Sequence, residues 1–447
     1  MGTAPTSPAT LAQHAQRGGW RLTGATARAT SVATVLGLAG VALGRADLLV
    51  LAAPFGLVAA LALTHVPTSA LGSSVRVADR WLHEGQSTRV EVGVHTDGDL
   101  EQVTTTLARP AYVVSQPPSG IVTTTPRRGE RDVLVGFAVS PRRWGLRSTG
   151  TLMLAATTPW GGYRWGPQRL PEAAVVAMPE SAAFSSGEIP NPVGLIGLNR
   201  SRRAGDGSEF HAIRPFQPGD RLRRVNWRTT LRTGTLHAVG ASALEDSSVM
   251  ILLDAIADIG VSGGVDGATS TLDRGVRAAV ALAGHHLRVG DRVSLRVVGR
   301  TGQVLGPGSG LRHRRRIQEL LALVQPGWPD LVTTRHLRLR VTAGTVVVVL
   351  SPLLTPEITT AMVTLARRGL TVVCVDTLTE GTMPAPAMDP ASAARLAWRM
   401  RLVERDMQRT EVTRRGIPVV PWRGPGTLDE VLRRLAHRAR LPKDVAR

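Results

Sequence analysis

The chain is 447 residues long, with 54 Lys+Arg against 34 Asp+Glu and a formal net charge of +20. Its mean hydropathy is +0.02, and 43% of its residues are hydrophobic, which excludes wholesale disorder. A single cysteine, Cys374, excludes an internal disulfide framework and any Cys-rich zinc site.

The charge is discounted first. Lys443 is the one lysine, so 53 of the 54 basic residues are arginine, a pattern that fits GC-rich coding as well as selection for a ligand. The arginines are spread over most of the chain without a basic tail, so nucleic acid ranks as a minor reading.

The hydropathy is concentrated near the N-terminus. An uncharged run of 16 residues begins at Ala29 and ends at Gly44, and 17 more run from Leu48 to Thr64. Each would span roughly 25 Å as a helix, close to the ~30 Å hydrocarbon core of a bilayer. Arg45, Ala46 and Asp47 between them make a tight tip. The pattern predicts a two-helix transmembrane hairpin over 29–66, preceded by a tail at 1–28. A core hairpin of a soluble domain is the alternative. A cleaved signal peptide fits poorly, because the first run starts late and a second follows at once. Arg17, Arg21 and Arg28 precede the first span, and Arg76 and Arg80 follow the second. By the positive-inside rule both termini are expected in the cytoplasm of a plasma-membrane protein with two spans. A lone free cysteine suits that reducing compartment.

Residues 67–180 are expected to be a β-sandwich of immunoglobulin-like size. Short apolar alternations are cut by Gly, Pro and Asp, as in 88–95, where Val90, Val92 and Val94 share a face. Trp144 and Trp160 stand at turns as aromatic anchors, and His83 and Glu84 read as an isolated surface pair. A Ser/Gly/Pro-rich connector follows at 181–200, inside a wider linking segment at 181–245.

The densest chemistry lies between 200 and 245. Pro218-Gly219 marks a turn, Asp220 can cap the next segment, and Asp220 and Arg223 could pair on a helix. Trp227 reads as the hydrophobic anchor. Arg214-x-Phe216-x-x-Gly219-Asp220-x-x-Arg223-x-Val225-x-Trp227, followed by Thr230-x-Arg232, resembles the signature of the domain of unknown function 58 family. Phe216, Val225 and Leu231 stand where the family pattern has Tyr, Ile and Ala. The spans, the β-rich segment, 141–145 and 159–163 also resemble family features.

From 246 to 447 apolar strands alternate with amphipathic helices. Strands are expected at 249–253, 293–298, 345–350, 370–375 and 417–420, with helices at 271–287, 314–324, 357–368, 390–409 and 428–440; 306–310 reads as a turn. This implies a parallel sheet covered on both faces. The resemblance implies a von Willebrand factor A-like domain, a fold that often holds Mg²⁺ through Asp-x-Ser-x-Ser after its first strand. Here the string is Asp254-Ala-Ile-Ala-Asp258, so the site is degenerate and no metal or other cofactor is expected. Asp254 is expected to cap its strand end instead. No P-loop or nucleophile elbow occurs, and adjacent His285 and His286 point about 100° apart on a helix. The basic run at 311–316 could meet anionic lipid.

The resemblance implies a membrane-anchored adaptor or scaffold, not an enzyme. The implied partners are a MoxR-type AAA+ ATPase and a transglutaminase-like membrane protein, in chaperone-like assembly or maturation. Arg214, Phe216, Gly219, Asp220, Arg223, Trp227 and Arg232 would serve as partner contact or as glue between domains. The alternatives are a Mg²⁺-dependent enzyme or binding module centred on Asp254, and a nucleic-acid-binding protein.

Overall fold

The computed structural model describes residues 19–67, 69–179, 204–216, 222, 225–242, 248–328, 341–342, 344–389, 392–423 and 427. The expected connector at 181–200, the helix expected at 428–440, and Arg17, Gly219, Asp220 and Arg223 lie outside them. The chain divides into two compact units: Met1–Pro179 with Gly263–Gly267, and Glu180–Ser262 with Ala268–Arg447.

The first unit opens with β1 (Arg21–Leu22), α1 (Gly24–Ala42) and α2 (Ala46–Leu63). α1 begins before Ala29 because Thr23 caps it, its hydroxyl accepting from Thr26 N–H. Arg28 therefore lies within the helix. Gly44 falls in the tip at φ +61°, a left-handed conformation that glycine adopts without strain. α2 starts at Ala46, ahead of Leu48, with Asp47 in its first turn, where the helix dipole favours an acid. Thr64 is its C-cap. Arg45 and Asp47 pair at 2.9 Å across the tip. Both helices are long and apolar enough to cross a bilayer, and only 11% of each apolar window is buried.

The rest of this unit is β2 (Gly72–Val77), β3 (Trp81–His83), β4 (Thr88–His95), β5 (Gln102–Ala108), β6 (Val113–Gln116), β7 (Ile121–Thr124), β8 (Asp132–Pro141), β9 (Gly145–Ser148), β10 (Thr151–Thr157), β11 (Tyr163–Arg169) and β12 (Ala174–Met178). One sheet has the order β2-β4-β8-β6, a second β1-β11-β10-β5-β7, and a third, smaller one β3-β12-β9. The first two are antiparallel throughout. Their inward residues follow the period of two. Val90, Val92 and Val94 of β4 with Val133, Val135, Phe137 and Val139 of β8 share one core with Val103, Leu107, Leu152, Leu154 and Trp165 of the other sheet. Trp144 is buried, whereas Trp160 is exposed at φ +60°.

The apolar hairpin is hydrogen-bonded to this β unit at its α1 end and packs closely against it at its α2 end. Thr23 N–H donates to Gly162 O at 3.0 Å, and its hydroxyl donates to Gly161 O at 2.6 Å. Gly162 lies so close to α2 that a Cβ there would stand 2.7 Å from Ala62 O. Trp20 Nε1 donates to Ser69 O at 2.9 Å, tying the segment before α1 to the segment after α2.

The second unit contains β13 (Ala204–Pro215), α3 (Trp227–Thr233), β14 (His237–Ser242), β15 (Ser248–Asp254), α4 (Thr271–Val289), β16 (Arg292–Val298), β17 (Val304–Gly308), α5 (Gly310–Ala322), β18 (Val346–Ser351), α6 (Pro356–Arg367), β19 (Thr371–Asp376), α7 (Ala393–Arg414) and β20 (Val419–Pro421). Six strands form one sheet in the order β17-β16-β15-β18-β19-β20. All neighbours are parallel except edge strand β17, which runs antiparallel to β16. Part of the segment read as a turn at 306–310 is this edge strand. β-branched Val347, Val349 and Val372, with Cys374, pack under Ile358, Met362 and Leu365 of α6. Leu252 joins that core, while Leu253, on the opposite face, meets α4 at Gly275. Helices thus cover both faces, as continuously apolar strands require.

A locked polar row at the carboxyl edge of the parallel sheet

The signature segment folds around the β13–β14 hairpin. Arg214 pairs in register with Ala238, and Phe216 N–H donates to Leu236 O at 2.8 Å. Asn226 caps α3 by accepting from Thr229 N–H at 3.0 Å, and Asn226 N–H donates to His237 O at 2.8 Å. Trp227 does not act as the expected anchor: it is 62% exposed. Capping by Asn226 makes Trp227 the first helical residue, and Val225, just before the cap, takes the buried place in a bridge to Ala238. Phe216 is half-buried and Arg232 is exposed in the last turn of α3.

A second group of polar residues lines the carboxyl ends of β15, β18 and β19. The sheet register places Leu253 opposite Leu350 and Ser351 opposite Asp376, so Asp254, Ser351 and Asp376 stand in one row. The strand order reverses between β15 and β18, the place where open α/β sheets form ligand crevices. All three residues are buried.

Each carboxylate in the row is engaged by its own chain. Ser351 Oγ donates to one oxygen of Asp254 at 2.7 Å, and Ile256 N–H donates to the other at 3.1 Å. Ser351 Oγ also accepts from Leu353 N–H at 3.0 Å, holding a turn in which Leu353 adopts φ +56°. Asp376 accepts from Leu378 N–H at 3.0 Å and is paired with the Arg405 guanidinium of α7. Arg405 Nε donates to Pro352 O at 2.8 Å, and Arg401 Nη2 to Leu354 O at 2.6 Å. Two arginines of α7 thereby hold the loop that closes the crevice.

Burial pushes the Asp254 carboxyl up to about 6, against its hydrogen bonds from Ser351 and Ile256; the neighbouring Glu357 charge pushes it the same way. Burial also raises Asp376, with Arg405 opposing. The Cys374 thiol, buried beneath the row, is pushed far above its ordinary value. Glu357 Oε2 is buried and accepts no hydrogen bond among the described residues.

This arrangement does not suit a divalent cation. Both oxygens of Asp254 already accept hydrogen bonds, Ile256 brings no ligating atom, and Asp258 accepts from Leu272 N–H at the start of α4. Among the described residues no three His, Cys, Asp or Glu side chains are grouped to hold a metal. The local chemistry is that of a strand-end lock: Asp254 fixes the loop after its own strand and, through Ser351, the loop of the neighbouring strand.

Two features escaped the sequence reading. The Asp376–Arg405 pair joins residues 29 apart through the tertiary fold, and nothing in local spacing announces it. Glu84, read as surface, is buried and accepts from Trp144 N–H at 2.9 Å. Its exposed neighbour His83 fits the earlier expectation, and the alternation of an edge strand accounts for the difference between the two.

No curated protein matches the chain. Among solved structures, the cupredoxin domain of amoB from Nitrosocaldus yellowstonii is 10% identical, with 28% of this chain and 97% of that chain covered at a TM-score of 0.16. A likeness at that level carries no argument about fold or function. Residues 212–394, from the signature hairpin through the parallel sheet to the start of α7, match the family model described as Protein of unknown function DUF58, and this match supports the DUF58 family for the chain.

Proposed function

We propose that this chain is a membrane-anchored adaptor or scaffold facing the cytoplasm, working beside a MoxR-type AAA+ ATPase and a transglutaminase-like membrane protein in chaperone-like assembly or maturation. The observation that carries the anchoring is the exposed apolar hairpin α1–α2, whose α1 end is bonded to the β unit and whose two flanking segments are tied together by Trp20 and Ser69. A hairpin held in that way keeps its two ends on one side of a bilayer, and its self-neutralised Arg45–Asp47 tip is the part that crosses. Arg21, Arg28, Arg76 and Arg80 then mark the cytoplasmic side.

In this reading the first unit's β region is an immunoglobulin-like sandwich and the second unit is a von Willebrand factor A-like domain. The sheet order with one antiparallel edge strand supports the latter. Engagement of Asp254 and Asp376 by their own chain supports an adaptor over an Asp254-centred hydrolase. The signature segment serves first as glue, because its α3 is bonded onto the β13–β14 hairpin immediately before the parallel sheet.

The anchoring is tested with Arg45→Cys in intact cells: a membrane-impermeant maleimide should label it without lysis, and labelling only after lysis would reverse the topology. The adaptor reading is tested by capturing a MoxR-type AAA+ ATPase from the same cells. Failure to capture it with the wild-type full-length protein would remove the partnership. Asp220→Ala with Arg223→Ala should leave capture intact if the signature is glue; a folded variant that loses capture would make it a partner contact.

A further inference from the structure

α7 buries one face and carries a second apolar stripe on the opposite one. Trp398, Arg405 and Val412, one every seven residues, are its buried positions. At roughly 100° per residue, Leu396, Met400, Val403 and Met407 lie about 140–200° round from that line. All four are 61–62% exposed. Their spacing of four, three and four is that of a coiled-coil seam, with Leu396 and Val403 in one core position and Met400 and Met407 in the other. A surface helix that already buries its inner face has no internal need of this outer stripe.

The charges beside the stripe are arranged unevenly. Glu404 is paired with Arg401 at 2.7 Å, and Glu411 with Arg415 at 2.9 Å, on one shoulder. On the other shoulder stand Arg399 and Asp406, two exposed charges of opposite sign seven residues apart, and neither side chain has an ion-pair partner among the described residues.

We infer that α7 docks antiparallel against α7 of a second copy of this chain. In an antiparallel pair each shoulder faces its own counterpart. Arg399 then meets Asp406 of the second copy, and Asp406 meets its Arg399. The two-fold axis falls between residues 401 and 402, so Leu396 packs on Met407 and Met400 on Val403 from each side, an isologous contact. A parallel pair would instead set Asp406 against Glu411, a repulsion that offsets its one attractive contact, Arg399 with a Glu404 already held by Arg401. The self-complementary charges select a second copy as the occupant, because an unrelated partner would not require Arg399 and Asp406 to match each other. The seam is roughly 17 Å long and presents four apolar side chains per copy, less than a standard interface. The association is therefore weak and reversible.

Disulfide trapping of the full-length protein in its membrane tests this. Two differently tagged copies are co-expressed, one with Leu396→Cys and the other with Met407→Cys; the wild-type Cys374 is buried and serves as background. The antiparallel seam predicts a disulfide between the two tagged copies and little between identical ones, whose cysteines would lie roughly 17 Å apart, far beyond disulfide reach. Arg399→Glu should lower the yield roughly tenfold through the two charge pairs, and adding Asp406→Arg should restore it. Circular dichroism confirms that these exposed changes leave the fold intact. Disulfides between identical Leu396→Cys copies would overturn the antiparallel arrangement. Cysteines that react with a small maleimide but form no disulfide would overturn the contact. Cysteines closed to the maleimide without a disulfide would overturn it too, and would show the face covered by residues 428–447 or by another protein.

Discussion

Asp254 gives the most direct handle on the locked row. Its carboxyl is raised from 3.8 to about 6 by burial, with Ser351 and Ile256 opposing through hydrogen bonds. A group raised in this way holds its proton more tightly in the folded chain than in the unfolded one. The stabilisation is complete below pH 3.8 and is lost as pH rises through about 6. A difference of roughly two units corresponds to about 3 kcal/mol, or about a hundredfold in a local opening equilibrium. Asp254→Asn removes the titration and keeps a carbonyl acceptor for Ile256 N–H. Hydrogen exchange of a peptide containing Ser248–Asp254, corrected for intrinsic rates and followed by mass spectrometry at about pH 4 and about pH 7.5, brackets the window. The wild-type protection should fall by up to about a hundredfold relative to the Asn variant between those values. Titrations elsewhere affect both proteins alike, so the difference between the two profiles isolates this carboxyl. Parallel profiles would refute the reasoning.

Three further outcomes are expected. Arg405→Leu leaves Asp376 buried without its cation and Pro352 O without its donor; it should lower stability by about 3–5 kcal/mol, and adding Asp376→Asn should recover a large part in a thermal melt. Glu84→Ala removes the acceptor for the buried Trp144 N–H, at about 1–3 kcal/mol, whereas Glu84→Gln should stay near wild type in denaturant titration. Gly162→Ala would drive a Cβ to within 2.7 Å of Ala62 O, while Gly19 has nothing within 4 Å. Limited proteolysis after α2 should therefore speed up for Gly162→Ala and stay unchanged for Gly19→Ala.

The legible parts of this fold were those governed by local periodicity. The alternation of Val90, Val92 and Val94 announced β4, and the β-branched run at 345–350 announced the strand found at Val346–Ser351, covered on both faces. Element ends were harder, because caps set them. Ser392 starts α7 later than 390, and Val412, buried on the inner face, carries it on to Arg414. Trp227 was misplaced for the same reason: Asn226 caps α3, which makes Trp227 its exposed first residue, while the cap expected at Asp220 lies outside the described residues. Glu84 and Arg405 were invisible because a charged residue reads as solvated unless its partner is known. Their partners, Trp144 N–H and Asp376, come from 60 and 29 residues away.

The arginine content takes on a different meaning around α7. Arg401 and Arg405 point inward and close the carboxyl edge of the sheet by binding Leu354 O, Pro352 O and Asp376. Here the basic residues substitute for a ligand at the place where an α/β sheet would hold one. The same helix turns Leu396, Met400, Val403 and Met407 outward. A displacement of α7 caused by binding at that outer stripe would have to stretch the Arg405–Asp376 pair, and Asp376 lies next to Ser351, which holds Asp254. If the outer stripe and the inner row are coupled through this rigid helix, loss of the dimer contact should change the pH dependence of Asp254. Repeating the hydrogen-exchange comparison in an Arg399→Glu background measures that coupling, and an unchanged Asp254 profile would show that the two faces of α7 act independently.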